Sequence, residues 1–304
     1  MSQRVLVRVP GKINLQLSVG PLKSDGYHDL ATVFQAVSIY DDVTVRTTDT
    51  REIRIIPEGK SSDFFPLGPE NLAYKAAALM IEKYGLPSGL DISIKKEIPI
   101  AGGMAGGSAD AGATIIALDY LFQLGLKRDE MERVGASLGA DVPFTISGGT
   151  AIGTGRGDQV MPVLARGSYN WVLALSSSGL STPAVFKECD RLREGMEVAQ
   201  PHINEALLSA LALGSAVDLG KALSNDLQPA AASLKPALRL ILDVGLDYGA
   251  LGGIVSGSGP TVAFLAEDDE RALDLVVALT SSGVVGNVIR VSGPVPGARV
   301  IESS

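Results

Sequence analysis

Residues 99–118 read Pro-Ile-Ala-Gly-Gly-Met-Ala-Gly-Gly-Ser-Ala-Asp-Ala-Gly-Ala-Thr-Ile-Ile-Ala-Leu, with Gly102, Gly103, Gly106 and Gly107 leading straight into a helical pattern. Glycine lets backbone amides approach a ligand with no side chain in the way, and a helix start adds unpaired N–H donors and the positive end of the helix dipole. Such a loop can cradle phosphate, or it can be a tight strand-to-helix connection that binds nothing. Two familiar phosphate loops are excluded by spacing. Ser108-Ala109 follows Gly107 where a P-loop needs Lys followed by Ser or Thr, and neither Gly102 nor Gly103 has a glycine two residues later, as a dinucleotide fingerprint requires.

Two further residues could do chemistry. Asp141, in Gly139-Ala-Asp-Val-Pro143, sits between helix breakers on a short loop, where a carboxylate can be fixed as a proton acceptor or can simply turn the chain. Lys12 follows Pro10-Gly11 in an otherwise apolar strand region, a poor place for a solvated ammonium unless it has a charged partner.

Strands and helices must position these groups. Val/Arg alternation over residues 4–9, a Pro-Gly corner and renewed alternation over 12–19 predict strand, corner, strand. Residues 43–56 supply short strands and 90–98 another. Helical spacing covers 71–84, 108–124 and 129–138, and the chain from Phe144 onward reads as a strand. In the second half we expect a strand at 171–175, helices near 183–194, 203–213, 218–222 and 229–245, strands near 251–255 and 261–266, and a helix over 270–281. A break near residues 160–168 divides the chain into domains of 1–165 and 166–304.

With 304 residues, 46% hydrophobic and 20% charged, the chain is long enough for two cores of a mixed helix-and-sheet protein. A net charge of -8 opposes general attraction to nucleic acid or an anionic membrane. Arg4 and Arg8 interrupt any signal-like apolar run, no segment is long enough to span a bilayer, and the single Cys189 allows no internal disulfide, all of which fits a cytoplasmic protein. With only two histidines and one cysteine, no zinc or redox-metal cluster is expected.

Three ordered segments, Val9-Pro-Gly-Lys-Ile-Asn-Leu15, Pro99 to Ala111 and Gly252-Gly-Ile-Val-Ser-Gly-Ser-Gly-Pro-Thr261, resemble the GHMP kinases. Asp25-Gly-Tyr-His28, Thr32-Val-Phe-Gln35, Gly139-Ala-Asp-Val-Pro-Phe144 and Ser181-Thr-Pro-Ala-Val-Phe186 resemble the branch whose acceptor is a cytidine diphosphate derivative. The resemblance implies an α+β, two-lobed fold, with an N-terminal α/β lobe, a C-terminal α+β lobe and the active site in the cleft. It implies ATP and Mg2+, with Lys12 and Asp141 catalytic. Pro99, Ile100, Ala101, Gly102, Gly103, Met104, Ala105, Gly106, Gly107, Ser108 and Ala109 would line the nucleotide site, with Asn71 and Lys96 near adenine and Ser108 also near the metal. Asn14, Asp141 and Thr182 would face the small-molecule substrate. Tyr27 and Phe186 would sandwich a flat cytosine while His28 and backbone groups read its edge.

The glycine loop departs from the family pattern, with Met104, Ala105 and Ala109 where Leu, Gly and Ser are usual. An alanine at 105 would be strained if the position needs positive φ. Losing the hydroxyl at 109 would leave Ser108 alone in its role. Rival readings are a homoserine- or mevalonate-type kinase of the same superfamily, and a nucleotide or metabolite sensor without turnover.

Overall fold

The computed structural model describes residues 3–59, 66–176 and 178–304. Among them are twelve strands and ten helices. The frame of the first lobe is a long hairpin, β1 (Arg4–Leu22) with β2 (His28–Thr47), antiparallel throughout. The expected corner at Pro10-Gly11 is not a break, because the strand absorbs it as a register shift; a second shift follows between Asn14 and Gln16. Proline is tolerated in a sheet at such irregularities.

β3 (Ile53–Glu58), β4 (Leu90–Lys95) and the late strand β12 (Arg299–Ser303) extend the sheet to give the order β12-β1-β2-β4-β3, and β5 (Thr150–Thr154) with β6 (Gln159–Pro162) adds to β2. Helices α1 (Leu72–Tyr84) and α2 (Gly106–Phe122) cover it, packing Ala76, Met80, Ile115 and Leu118 on Val43, Leu90, Ile92 and Ile94 in one large core. α2 is buried nearly all round, so its apolar residues show little one-sidedness.

α3 (Arg128–Ala136) precedes α4 (Val142–Ser147), which replaces the strand expected from Phe144. Residues 142–146 are all buried, so the Val142, Phe144, Ile146 alternation that imitates a strand has no polar face to betray a helical turn. Pro143 sits in the first turn of α4, where its missing N–H costs no hydrogen bond.

The second lobe has a four-stranded antiparallel sheet ordered β11-β7-β10-β9, from β7 (Tyr169–Leu175), β9 (Gly252–Val255), β10 (Val262–Ala266) and β11 (Asn287–Gly293). It carries α5 (Thr182–Leu192), α6 (Glu205–Leu213), α7 (Ala216–Ala222) and α10 (Asp269–Ser281). The helix expected over 229–245 is two, α8 (Gln228–Leu234) and α9 (Ala237–Asp247). Lys235 leaves the helical region just before Pro236, the residue a proline most restricts.

The four-stranded sheet lies wholly after residue 165. Two later pieces nevertheless join the first sheet: β8 (Ser224–Asn225) and β12 (Arg299–Ser303) both pair with β1. Trp171 also crosses between sheets, donating its indole N–H to Gln35 Oε1 at 2.9 Å.

The lobes meet backbone to backbone at their glycine segments. Thr261 N–H donates to the Gly102 carbonyl at 3.3 Å, and Ser256 Oγ donates to the Gly103 carbonyl at 2.9 Å. Gly103 has φ +77, and a Cβ there would strike the Ser256 carbonyl and lie 3.1 Å from Gly259 N. Gly103→Ala therefore adds a rigid backbone clash to a left-handed conformation, and a loss of about 2–4 kcal/mol is expected. Urea unfolding checks this; a midpoint equal to that of the parent would show that the lobes do not close on this residue.

Candidate active site

Between the lobes lies a cavity of about 400 Å3 lined by β1 and β2 on one side, the glycine loop and the start of α2 on another, and Thr182, Gly257 and Ser258 from the second lobe. Strand alternation places Lys12 and Asn14 on the cavity face of β1, with Thr32 and Phe34 beside them on β2. Lys12 Nζ donates to Asn14 Oδ1 at 2.6 Å; Asn14 Nδ2 donates to Thr32 Oγ1 at 2.8 Å, and that hydroxyl donates to the Gln16 carbonyl at 2.6 Å. This relay fixes the ammonium. Its only carboxylate partner among the described residues is Asp141 Oδ2, 3.8 Å away on the turn that opens α4. Lys12 is 4% exposed, and burial pushes its pKa below the ordinary lysine value, with the Asp141 charge opposing the shift.

The glycine loop ends at Ala105 with φ 60° and ψ 30°, so the alanine does occupy the left-handed conformation that glycine would adopt freely. No side chain among the described residues caps α2. The first amides of a 17-residue helix thus face the cavity through Gly106, Gly107 and Ser108. Ser108 also lines it, and its hydroxyl has no hydrogen-bond partner among the described residues. Pro99, Ala101, Gly102 and Gly103 complete this wall.

Three loop residues expected there contribute no side chain. Met104 and Ala109 are fully buried in the core, and Ile100, 43% exposed, lies outside the lining. A serine at 109 would have faced the core, so the missing second hydroxyl costs the cleft nothing. Met104 contributes through its backbone, its carbonyl accepting from Lys12 N–H at 3.2 Å.

A second cavity of about 820 Å3 adjoins the first, and Leu30, Ala140, Arg156, Thr182 and Phe186 line both. Tyr27 and His28 line the larger one, His28 at the start of β2 and Phe186 on α5. The His28 and Phe186 rings stack with centroids 5.4 Å apart. Both His28 nitrogens are engaged: Nδ1 donates to the Gly20 carbonyl at 2.8 Å, and Nε2 lies 3.3 Å from Asp190 Oδ1. The imidazole is thus a fixed wall of this cavity. Thr182 Oγ1 and Ser258 Oγ are 2.8 Å apart, joining α5 to the second-lobe glycine turn.

Residues 71–149 match the GHMP kinases N terminal domain family and residues 207–285 the GHMP kinases C terminal family. A 4-diphosphocytidyl-2-C-methyl-D-erythritol kinase of Mycolicibacterium smegmatis is 52% identical over 98% of this chain and 92% of its own length. The crystal structure of a 4-(cytidine 5'-diphospho)-2C-methyl-D-erythritol kinase superposes with a TM-score of 0.76 at 31% identity, covering 94% of this chain and 98% of that one. The chain belongs to the 4-diphosphocytidyl-2-C-methyl-D-erythritol kinase family of GHMP kinases. A homoserine kinase from Cytophaga hutchinsonii, 18% identical with a TM-score of 0.76 over 98% of this chain and 97% of its own, shares the fold.

In this GHMP kinase two residues expected near adenine are otherwise committed. Asn71 is the N-cap of α1: its Oδ1 accepts from Ala73 N–H and its Nδ2 donates to the Pro66 carbonyl, both at 2.8 Å. Lys96 turns inward behind Gly106, where its Nζ pairs with Asp41 and, at 2.9 Å, with Asp110 of α2. Neither side chain lines the cleft.

Sequence reasoning missed two groups at or beside the cavities. Asn225 Nδ2 donates to the Val255 and Gly257 carbonyls at 2.7 and 2.8 Å, holding Gly257 so that a Cβ there would sit 3.3 Å from Lys12 Nζ. Its signal was an Asn just before a helix, at Ser224-Asn225-Asp226. The other is Arg156, whose only sequence signal is a cation in a Gly-Arg-Gly turn.

The Lys96 cluster holds one cation and two carboxylates, all buried. Asp41 accepts from Glu97 and Ile98 N–H as well as Lys96, whereas Asp110 Oδ1 has no partner among the described residues. Burial pushes the Asp110 pKa up to about 8, against the pull of the Lys96 charge and with the Asp41 charge adding to the rise. Folding then takes up a proton between the unfolded value of 3.8 and about 8, so this group's contribution to stability is lost as pH rises through that window. Asp110→Asn is expected to reduce the fall in urea midpoint between pH 5 and pH 8; parallel profiles for variant and parent would show that Asp110 takes up no proton on folding.

Proposed function

We propose that this protein transfers the γ-phosphoryl group of ATP to the 2-hydroxyl of 4-diphosphocytidyl-2-C-methyl-D-erythritol, a step toward isoprenoid precursors. The observation that carries the reading is the buried Lys12 beside Asp141, facing the uncapped start of α2 across a cavity continuous with an aromatic-walled one. A nucleoside-linked polyol needs such a pair of cavities, one for the base and one for the reacting hydroxyl.

Asp141 takes the hydroxyl proton as the new O–P bond forms and the bond to the ADP leaving group breaks. Its position at the mouth of a rigid turn suits a base that must meet substrate; its side chain is 34% exposed. Lys12 has one neutral hydrogen-bond partner and a carboxylate at 3.8 Å, so its charge is under-compensated until a phosphoryl group arrives. The α2 amides, with Gly102, Gly103, Ala105, Gly106 and Gly107 around them, take the ATP phosphates. Asn14 holds Lys12 and faces the acceptor, and Thr182 lines both cavities.

Mg2+ fits this site as an ion carried by phosphates and water, because the described residues hold no cluster of three or more acidic, His or Cys side chains and the Ser108 hydroxyl faces the cavity unpaired. Ser108 is the residue that would hold it, and it would neutralise charge on the transferred group.

ADP release with magnesium ATP tests the reading, comparing 4-diphosphocytidyl-2-C-methyl-D-erythritol with 2-C-methyl-D-erythritol 4-phosphate, homoserine and mevalonate. Turnover confined to the cytidylated acceptor is expected; turnover with homoserine or mevalonate instead would overturn the substrate, and nucleotide binding without any turnover would favour a sensor. Asp141→Asn should lower kcat by about 10²–10⁴ with little change in affinity for ATP. An unchanged kcat would remove Asp141 from the reaction. Since burial lowers the Lys12 pKa, turnover should fall on the alkaline side at a lower pH than an ordinary lysine would dictate.

A further inference from the structure

Arg156 stands at the tip of the β5–β6 hairpin, in a turn held by Gly157 N–H on the Thr154 carbonyl at 2.9 Å and by Arg156 N–H on Asp158 Oδ1 at 3.1 Å. Gly155 and Gly157 flank it with φ of 68° and 93°, and the Gly155 carbonyl accepts from Leu30 N–H at 2.8 Å, locking this tip onto β2. The guanidinium lies 3.7 Å above the Tyr27 ring and 3.6 Å from Asp25 Oδ2, both on the β1–β2 turn. Two hairpin tips distant in sequence thus meet through one cation.

Three features set this cation apart. It is the one charged residue among the five that line both cavities. Its side chain donates no hydrogen bond among the described residues, so a fork of five N–H donors is held in place by stacking and a long ion pair, and is unspent. Lys12 and Lys187 each line one cavity and not the other, so neither reaches the neck between them.

We infer that Arg156 is the substrate-positioning residue that binds the diphosphate of the acceptor, bidentately, at the neck joining the two cavities, while bracing Tyr27 from behind. This rests on the proposed substrate. With the base in the larger cavity and the reacting hydroxyl between Lys12 and Asp141, the diphosphate linking them lies where the cavities join. A planar guanidinium suits two adjacent phosphate groups better than an ammonium does. Stacking on Tyr27 costs it no donor, because the N–H groups point outward in the guanidinium plane. Arg156 would then separate diphosphate-linked acceptors from uncharged nucleosides, a selection that Asp141 and Lys12 alone do not make.

The test is binding of cytidine and of CDP, with the nucleotide site filled by the β,γ-imido analogue of ATP, to the parent protein, R156M and R156K. The parent is expected to bind CDP about 10- to 100-fold more tightly than cytidine, the range of hydrogen bonds to a charged group. In R156M that ratio should collapse toward one, and R156K, with charge but no fork, should fall between. Taking the ratio removes any common loss from the unbraced Tyr27. In turnover, R156M should raise KM for the cytidylated acceptor with a smaller effect on kcat and none on KM for ATP. A CDP-to-cytidine ratio unchanged in R156M overturns the role of Arg156 and leaves the substrate standing. Failure of the parent to bind either ligand overturns the substrate itself. A loss in kcat with KM unchanged would also overturn the inference, since it would put Arg156 at the transferred group instead of the neck.

Discussion

The cleft exists because two glycine segments from opposite halves of the chain touch through their backbones. Gly102 and Gly103 lie against Ser256, Gly259 and Thr261, with hydrogen bonds in which the first-lobe carbonyls accept from the second lobe. With those carbonyls occupied, the loop's unpaired groups are N–H donors, and they gather at the start of α2. The same contact brings Gly257 over Lys12 and Ser258 to Thr182. A side chain at Gly103 would separate the lobes, and the donors, the ammonium and the second-lobe wall would no longer share one cavity.

Two buried lysines show how compensation sorts structural from chemical roles. Both are nearly inaccessible, yet burial lowers the pKa of Lys12, whereas for Lys96 the charges of Asp110 and Asp41 outweigh burial and raise it. Lys96 has its countercharge within the fold and ties the start of α2 to β2. Lys12 has an amide oxygen and a more distant carboxylate, so its field is left to act on whatever enters the cavity. An ammonium that is to meet phosphate, the role proposed for Lys12, has to be incompletely paired beforehand, and the relay through Asn14 and Thr32 supplies direction without neutralising it.

Much of this was legible in the sequence, and the gaps have physical causes. Strand alternation over residues 12–19 puts Lys12 and Asn14 on one face, and the question of positive φ at Ala105, which the sequence leaves open, is answered by its φ of 60°. Lys95 and Lys96 are adjacent, so a strand period of two sends them to opposite sides, but which side is inner depends on Asp41 and Asp110, contacts that no local pattern announces. Met104 and Ala109 were grouped with the loop by position, whereas their side chains are set by the core beneath it. The short α4 was hidden by complete burial. β12 was invisible because only Val300 of its five residues is even partly shielded, leaving the edge pairing with β1 without an apolar signature.

The larger cavity follows a different rule from the glycine wall of the smaller one. There the groups are backbone and the geometry is fixed by glycine; here side chains from β1–β2, β5–β6 and α5 converge, each braced by a neighbour. Phe186 leans on His28, whose two nitrogens are tied to Gly20 and Asp190, and Tyr27 is backed by Arg156. Stacking surfaces held this way lose little rotamer freedom when a flat ring enters between them, so the entropy of ordering an aromatic wall is spent at folding and not at binding. In the proposed reaction, the part of the substrate farthest from the reacting hydroxyl would contribute affinity that the diphosphate, once held at the neck, transmits to the placement of that hydroxyl against Asp141.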